Sequence, residues 1–159
     1  MEPIAIDALD ARLITALAET PRAGVMELAR QLGVARGTVQ ARLEKLQRRG
    51  IVTGFSPDVD LVAMGYGVLA FLTLEIAQGR LADVVEHLAG IPEVLEVHAT
   101  TGPGDLHARV VARTNEDLQH VIGQILDVQG IMRTTTQIAL TEQLPYRVLP
   151  LVGTAIPPG

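Results

Sequence analysis

Arg36, Arg42, Lys45, Arg48 and Arg49 fall within fourteen residues and are opposed there only by Glu44. Five positive charges against one negative leave the stretch at +4 in a chain whose net charge is −5. Guanidinium and ammonium groups at this density can neutralise the phosphates of a polyanion. A guanidinium can also meet a base edge with two parallel hydrogen bonds. The charge is unevenly spread along the chain. Residues 1–50 hold eight Lys/Arg and six Asp/Glu, a net of +2; residues 51–159 hold five and twelve, a net of −7. This asymmetry describes a cationic head on an acidic body.

The basic residues need helices to position them. Asp7 is placed to cap a first helix, whose residues Leu9, Leu13, Ala16 and Leu17 share a face and which Pro21 ends. A second helix is expected from Val25 to Leu32, with Leu28, Ala29 and Leu32 inward, and Gly33 supplies a sharp turn after it. The third helix, Arg36 to Arg48, buries Val39, Leu43 and Leu46 at i, i+4, i+7. That seam leaves Arg36, Thr38 and Gln40 at the exposed N-terminal end, the end that enters the major groove of DNA in a helix-turn-helix. Arg42, Lys45, Arg48 and Arg49 are placed for phosphates or for internal pairing. Gly50 closes the helix, and Ile51-Val52-Thr53 reads as a short wing strand.

Beyond a connecting segment, 58–65, the pattern changes. Strands are expected at Val68–Leu74, Val94–Thr100, Leu106–Arg113 and Met132–Leu140. One helix carries Leu81, Val84, Val85 and Leu88; another is capped by Thr114 or Asn115 and carries Leu118, Val121, Ile122, Ile125 and Leu126. The order β-α-β-β-α-β is that of a ferredoxin-like sandwich, with both helices on one face of the sheet. The first strand is apolar on both faces, so a second copy is expected to cover the other face and make a homodimer. The fold class is α+β: a (winged) helix-turn-helix over residues 1–60, a ferredoxin-like domain over 61–143, and a tail over 144–159. The tail is apolar from Leu144 to Val152, free to pack on the dimer or a neighbouring dimer, and frayed from Gly153 to Gly159.

Several classes of chemistry are disfavoured. Cysteine is absent, which excludes disulfides and thiolates and suits a cytoplasmic protein. The first residues lack the basic region of a secretory leader. The longest apolar stretch, Val68–Leu74, is far short of the ~20 residues that cross a bilayer. There is no Walker loop and no Gly-x-Gly-x-x-Gly fingerprint. Of the four histidines, His87 and His120 fall on helices, while His98 and His107 flank a hairpin. Counting through the loop sets residue 99 opposite 107, which puts His98 and His107 on opposite faces and argues against a shared metal. No catalytic residue, metal or cofactor is expected.

The ordered set of residues resembles the Lrp/AsnC (leucine-responsive, feast/famine) family of transcription regulators over roughly residues 6 to 143. In the head it rests on Leu9-Asp10, Ile14, Leu17, Arg22, Glu27-Leu28-Ala29, Gly33-Val34, Val39, Arg42, Leu46 and Gly50 to Phe55. In the body it rests on Gly65, Val94, Thr101-Gly102, Asp105, Leu118, Gly130-Ile131 and Thr136. The resemblance implies a double-stranded DNA partner, read by Arg36, Thr38, Gln40, Arg42, Lys45, Arg49 and Arg22. It implies dimers that assemble into tetramers or octamers, and an amino acid bound between dimers near Thr101–Asp105. There Asp105 would meet the ammonium, backbone N–H groups around Gly102 and Gly104 the carboxylate, and Thr100, Thr101 and Thr134 would supply hydroxyls. The alternative is that Gly102-Pro103-Gly104 makes a plain tight turn capped by Asp105. Two departures stand out. Ala35 replaces the family's usual Ser before the third helix, which removes a cap typically worth about 1 kcal/mol. Pro103-Gly104 replaces an aromatic or acidic residue in the turn. Siroheme decarboxylases share this architecture, so an enzyme using His98, His107, Arg109 and Arg113 is a second reading. A ligand-binding or assembly module without DNA binding is a third.

Overall fold

The computed structural model describes residues 6–156, so the outermost tail residues 157–159, expected to be frayed, lie outside it. Contacts divide the chain into two units: the residues up to Asp58 together with those from Leu144 onward, and Val59–Gln143.

The first unit is built from α1 (Ala8–Glu19), α2 (Val25–Leu32) and α3 (Arg36–Arg48). Asp7 caps α1, its carboxylate accepting from the N–H groups of Leu9 and Asp10, while Asp10 reaches back to the N–H of Asp7 in a capping box. Gly33, at φ 68°, turns the chain between α2 and α3. The core gathers Leu13, Ala16, Leu28, Leu32, Val39 and Leu46, with Leu43 half-buried beside them.

The expected wing strand does not form: residues 51–60 adopt no strand. The N–H groups of Gly50 and Ile51 instead donate to the carbonyls of Gln47 and Leu46 at 2.9 Å each. These bonds close the end of α3 as a C-cap, and Ile51 and Val52 pack on the helical core. Donors already spent in a cap are not available for a ladder.

The tail also differs from expectation. Leu149–Thr154 forms α6, whose Val152 enters the core of the first unit, with Ile156 packed against it. α6 lies against α1, and Ile156 follows two residues beyond its end. The earlier part of the tail stays exposed, at Leu144, Tyr146, Val148 and Leu151.

The second unit holds β1 (Val68–Ile76), α4 (Leu81–Ala89), β2 (Val94–Ala99), β3 (Leu106–Ala112), α5 (Asn115–Leu126) and β4 (Ile131–Ile138). The antiparallel sheet runs β2-β3-β1-β4, the ferredoxin-like order. Thr114 is the residue that caps α5, accepting from the Asp117 N–H. Ala70, Leu72 and Leu74 of β1, Leu106, Ala108 and Val110 of β3, and Val84, Leu88, Leu118, Val121 and Ile125 of the helices are buried together. The alternate side chains of β1 and β3, from Leu69, Phe71 and Thr73 to His107, Arg109 and Val111, line the other face of the sheet.

The hairpin between β2 and β3 is pinned to the end of β1. The β1–β3 ladder ends at the pair Leu74 and Leu106, and beyond it Asp105 Oδ2 accepts the Ile76 N–H at 2.6 Å. Gly104 lies beside this pin at φ 91°; a Cβ there would stand 2.3 Å from Thr73 Cγ2 and 3.3 Å from the Leu74 carbonyl oxygen. A Gly104→Ala variant therefore combines steric overlap with a disfavoured backbone region. It is expected to destabilise this unit by about 1–3 kcal/mol, read as a lower urea midpoint in circular dichroism.

Candidate functional site

The N-terminal end of α3 is open. Its cap residue, Ala35, makes no side-chain bond to the first turn. Arg36, Thr38 and Gln40 are exposed. Gln40 Nε2 donates to Glu44 Oε1 at 2.7 Å, a contact on the same helix face that a competing acceptor can replace. Arg36 makes no ion pair or side-chain hydrogen bond among the described residues. Arg49, beyond the last turn of α3, and Arg22, in the turn before α2, are likewise exposed. Arg48 pairs loosely with Glu44 at 3.6 Å.

Arg42 departs from its expected phosphate role. Its side chain is 28% exposed, and its Nη1 bonds both Asp7 Oδ2, at 2.5 Å, and Asp10 Oδ1, at 2.8 Å. Asp10 is 1% exposed, the one buried charged residue among those described. Lys45 Nζ lies 3.9 Å from its second oxygen. A carboxylate removed from water this completely demands a cation, and Arg42 meets that demand. It is an internal strut between α3 and α1, whereas Lys45, 39% exposed, retains access to solvent. Asp10 is the functional residue that spacing did not single out; the Asp7-x-x-Asp10 capping pattern was its only sequence signal. The Arg42 hydrogen bond is also the main reason that the Asp7 pKa lies below the ordinary carboxylate value, followed by the N–H of Asp10.

The structure brings Thr100 through Asp105 together in the β2–β3 hairpin. The Thr100 N–H donates to the Asp105 carbonyl at 3.0 Å and the Asp105 N–H to the Leu74 carbonyl at 2.8 Å. The N–H groups of Gly102 and Gly104 have no intramolecular acceptor among the described residues, and Thr100, Thr101 and Asp105 are exposed. Thr134 does not join them. It pairs with Leu74, on the side of the sheet covered by the helices, and its Oγ1 is buried without a partner.

His98 and His107 turn out to be direct cross-strand partners on one face, contrary to the expected opposite faces. The loop closes one residue earlier than the count allowed, with the Thr100 N–H on the Asp105 carbonyl, so Ala99 meets Leu106 and His98 meets His107. No group of three potential metal ligands occurs among the described residues. The His107 ring instead stacks on Phe71, centroids 5.7 Å apart. Arg113 lies over Tyr66, 5.1 Å from the ring centroid, in a different cleft from the one that Arg109 lines. The four residues of the enzyme reading therefore do not converge on one cavity. No helix among the described residues is long and apolar enough to cross a membrane.

Comparison with known proteins matches both units. The model of the AsnC-type helix-turn-helix domain matches residues 6–47, and that of the Lrp/AsnC ligand binding domain matches residues 69–149. The regulatory protein AsnC of Escherichia coli is 34% identical over 152 residues, covering 94% of this chain and all of that protein. The HTH-type transcriptional regulator FL11 of Pyrococcus horikoshii is 29% identical, covering 93% of this chain and 98% of that protein. The solved structure of E. coli AsnC superposes with a TM-score of 0.86 at 32% identity, over 92% of this chain and all of that one. A transcriptional regulator from Neisseria meningitidis, solved as a complex with L-Met, shares the fold at a TM-score of 0.77 and 23% identity, over 88% of this chain and 93% of that one.

The strut makes a prediction about acid stability. An Arg42→Met variant leaves Asp10 buried without its closest cation and is expected to lose about 3 kcal/mol of stability. In the native chain the folded pKa of Asp7 lies below its ordinary 3.8. The stabilisation is therefore complete above that pH and is lost as pH falls through the folded value. Urea midpoints measured from pH 6 down to pH 3 should decline more steeply for the native chain than for Arg42→Met; parallel curves would contradict the strut.

Proposed function

The chain belongs to the Lrp/AsnC family and is a DNA-binding transcription regulator, and from that premise we propose that a homodimer of it reads a palindromic operator under the control of a small effector such as an amino acid. The observation that supports the reading head is the open N-terminal end of α3, where Arg36, Thr38 and Gln40 are exposed beyond a sharp glycine turn. These three side chains meet base edges. Lys45, Arg49 and Arg22 meet phosphates, and Arg42 acts from inside by holding α3 on α1.

Dimerisation is supported by the sheet face that no helix covers. Leu69, Phe71 and Val111 lie there, and the Nε of Arg109 is buried without an acceptor. A second sheet packed on this face would bury the apolar residues and bring acceptors to Arg109. The exposed apolar residues Leu140, Leu144 and Tyr146 favour further assembly of dimers into tetramers or octamers.

The effector reading places an amino acid at the hairpin. Asp105 Oδ2 is committed to the Ile76 N–H, so its other oxygen faces the ammonium, while the N–H groups of Gly102 and Gly104 face the carboxylate. Thr100 and Thr101 are within the same turn; Thr134 stands apart, its hydroxyl on the covered face. The Neisseria regulator solved with L-Met illustrates the effector class.

Mobility shifts with the protein's own upstream DNA test the head. Affinity should fall steeply with salt, by about 0.9 log units per log unit of salt for each phosphate neutralised. Arg36→Ala should cost about 1–3 kcal/mol at the specific site and relax its preference, whereas Lys45→Ala should weaken all sequences alike and reduce the salt slope by about 1. Equal losses on all sequences for both variants would overturn the base-reading role of Arg36. For the hairpin, Asp105→Ala should reduce the calorimetric heat of a binding amino acid; the melting temperature without ligand checks that the Ile76 contact has not simply been lost.

A further inference from the structure

The second unit holds a cleft of 210 Å³ at the opposite end of β3 from the hairpin, lined by Tyr66, Glu93, Arg113, Asp117, His120 and Gln124 among others. It is assembled from separate parts of the chain. Tyr66 precedes β1, Glu93 precedes β2 and Arg113 follows β3, while Asp117, His120 and Gln124 recur at i, i+3, i+7 along α5 and so share one side of that helix. None of the residues expected at the hairpin contributes to it.

Its charges are unusual in one respect. Arg113 and the carboxylates of Glu93 and Asp117 line the same cleft, yet none of the three takes part in an ion pair or side-chain-to-side-chain hydrogen bond among the described residues. Arg113 is held over the face of Tyr66 instead, 5.1 Å from the centroid. A guanidinium over a ring face is attracted as a cation and makes no side-chain hydrogen bond there, so its N–H groups can still meet a carboxylate. A cation and two anions that line one small cleft without neutralising each other offer both halves of a zwitterion a counter-charge.

We infer that this cleft is a binding site for a small zwitterion of the α-amino-acid class, separate from the hairpin. The ligand carboxylate takes the edge of Arg113, its ammonium lies between Glu93 and Asp117, and its side chain extends toward Val121 and Gln124. The inference rests on the effector reading above in one respect, that the second unit binds amino acids at all. It adds a place for one of them that neither the hairpin nor the sheet face provides.

The test is calorimetric titration of the full chain with each of the twenty common amino acids, repeated on Arg113→Gln, Asp117→Asn and Asp105→Ala. Proton spectra of the four histidines report location, because His120 lines the cleft while His98 and His107 lie on the sheet. The expected result is an amino acid whose affinity falls at least tenfold in Arg113→Gln and in Asp117→Asn, holds in Asp105→Ala, and which shifts the His120 resonance. Arg113→Gln also removes the cation from the face of Tyr66, so Asp117→Asn, whose carboxylate makes no hydrogen bond or ion pair among the described residues, guards against a folding effect. Affinity lost in Asp105→Ala but unchanged in both cleft variants would overturn the inference and leave the hairpin as the site. No heat with any amino acid would overturn the effector reading and this inference with it.

Discussion

Asp10 is a carboxylate in the interior of a small helical unit, and a charge so far from water must be met by another. Arg42 meets it from across the core and bonds Asp7 in the same gesture, so the cap of α1 and the middle of α3 are joined by one guanidinium. The geometry of the whole reading head follows from this. With Arg42 turned inward, the seam of Val39, Leu43 and Leu46 is held against α1 and α2, and the opposite side of α3 is presented to solvent. Hydrophobic packing alone is non-directional; the ion pair adds a direction, fixing how the helix is rotated about its axis. The residues assigned to contact DNA are thus positioned by one that is not.

A comparable device operates in the second unit. The β1–β3 ladder ends at Leu74 and Leu106, and Asp105 takes the next backbone donor of β1, the Ile76 N–H. The hairpin is therefore tied to the central strand of the sheet rather than projecting freely, and Gly104 is required because the tie brings it against Thr73. This arrangement consumes half of the carboxylate that an effector would use. It also makes the turn continuous with β1.

The sheet and the tail show how the chain manages apolar surface. One side of the sheet is fully covered by α4 and α5, and the other carries Leu69, Phe71 and Val111 with an unsatisfied Arg109. The C-terminal segment deals with its own apolar residues in two ways. Val152 and Ile156 complete the core of the first unit, while Leu144, Tyr146 and Leu151 remain exposed. The first unit is consequently made from both ends of the described chain, with the second unit inserted between them.

Local rules decided a great deal of this protein from sequence alone. The three helices of the head, the cap at Asp7, the turn at Gly33 and the βαββαβ order all follow from periodicity, capping chemistry and glycine placement, which act over a few residues. The exposed set Arg36, Thr38 and Gln40 was legible for the same reason: helical phase is a local property. Partners distant in the chain were not legible. Arg42 and Asp10 are 32 residues apart, and spacing cannot tell a cation aimed at phosphate from one answering a buried carboxylate. The direct opposition of His98 and His107 depended on where the hairpin loop closes, the absence of a wing on a cap that spent its donors, the inward hydroxyl of Thr134 on sheet register, and the docking of Val152 on the core of the first unit. In each case the deciding energy is a hydrogen bond, ion pair or burial made across the fold, and such contacts exist only once the tertiary structure has brought their two halves together.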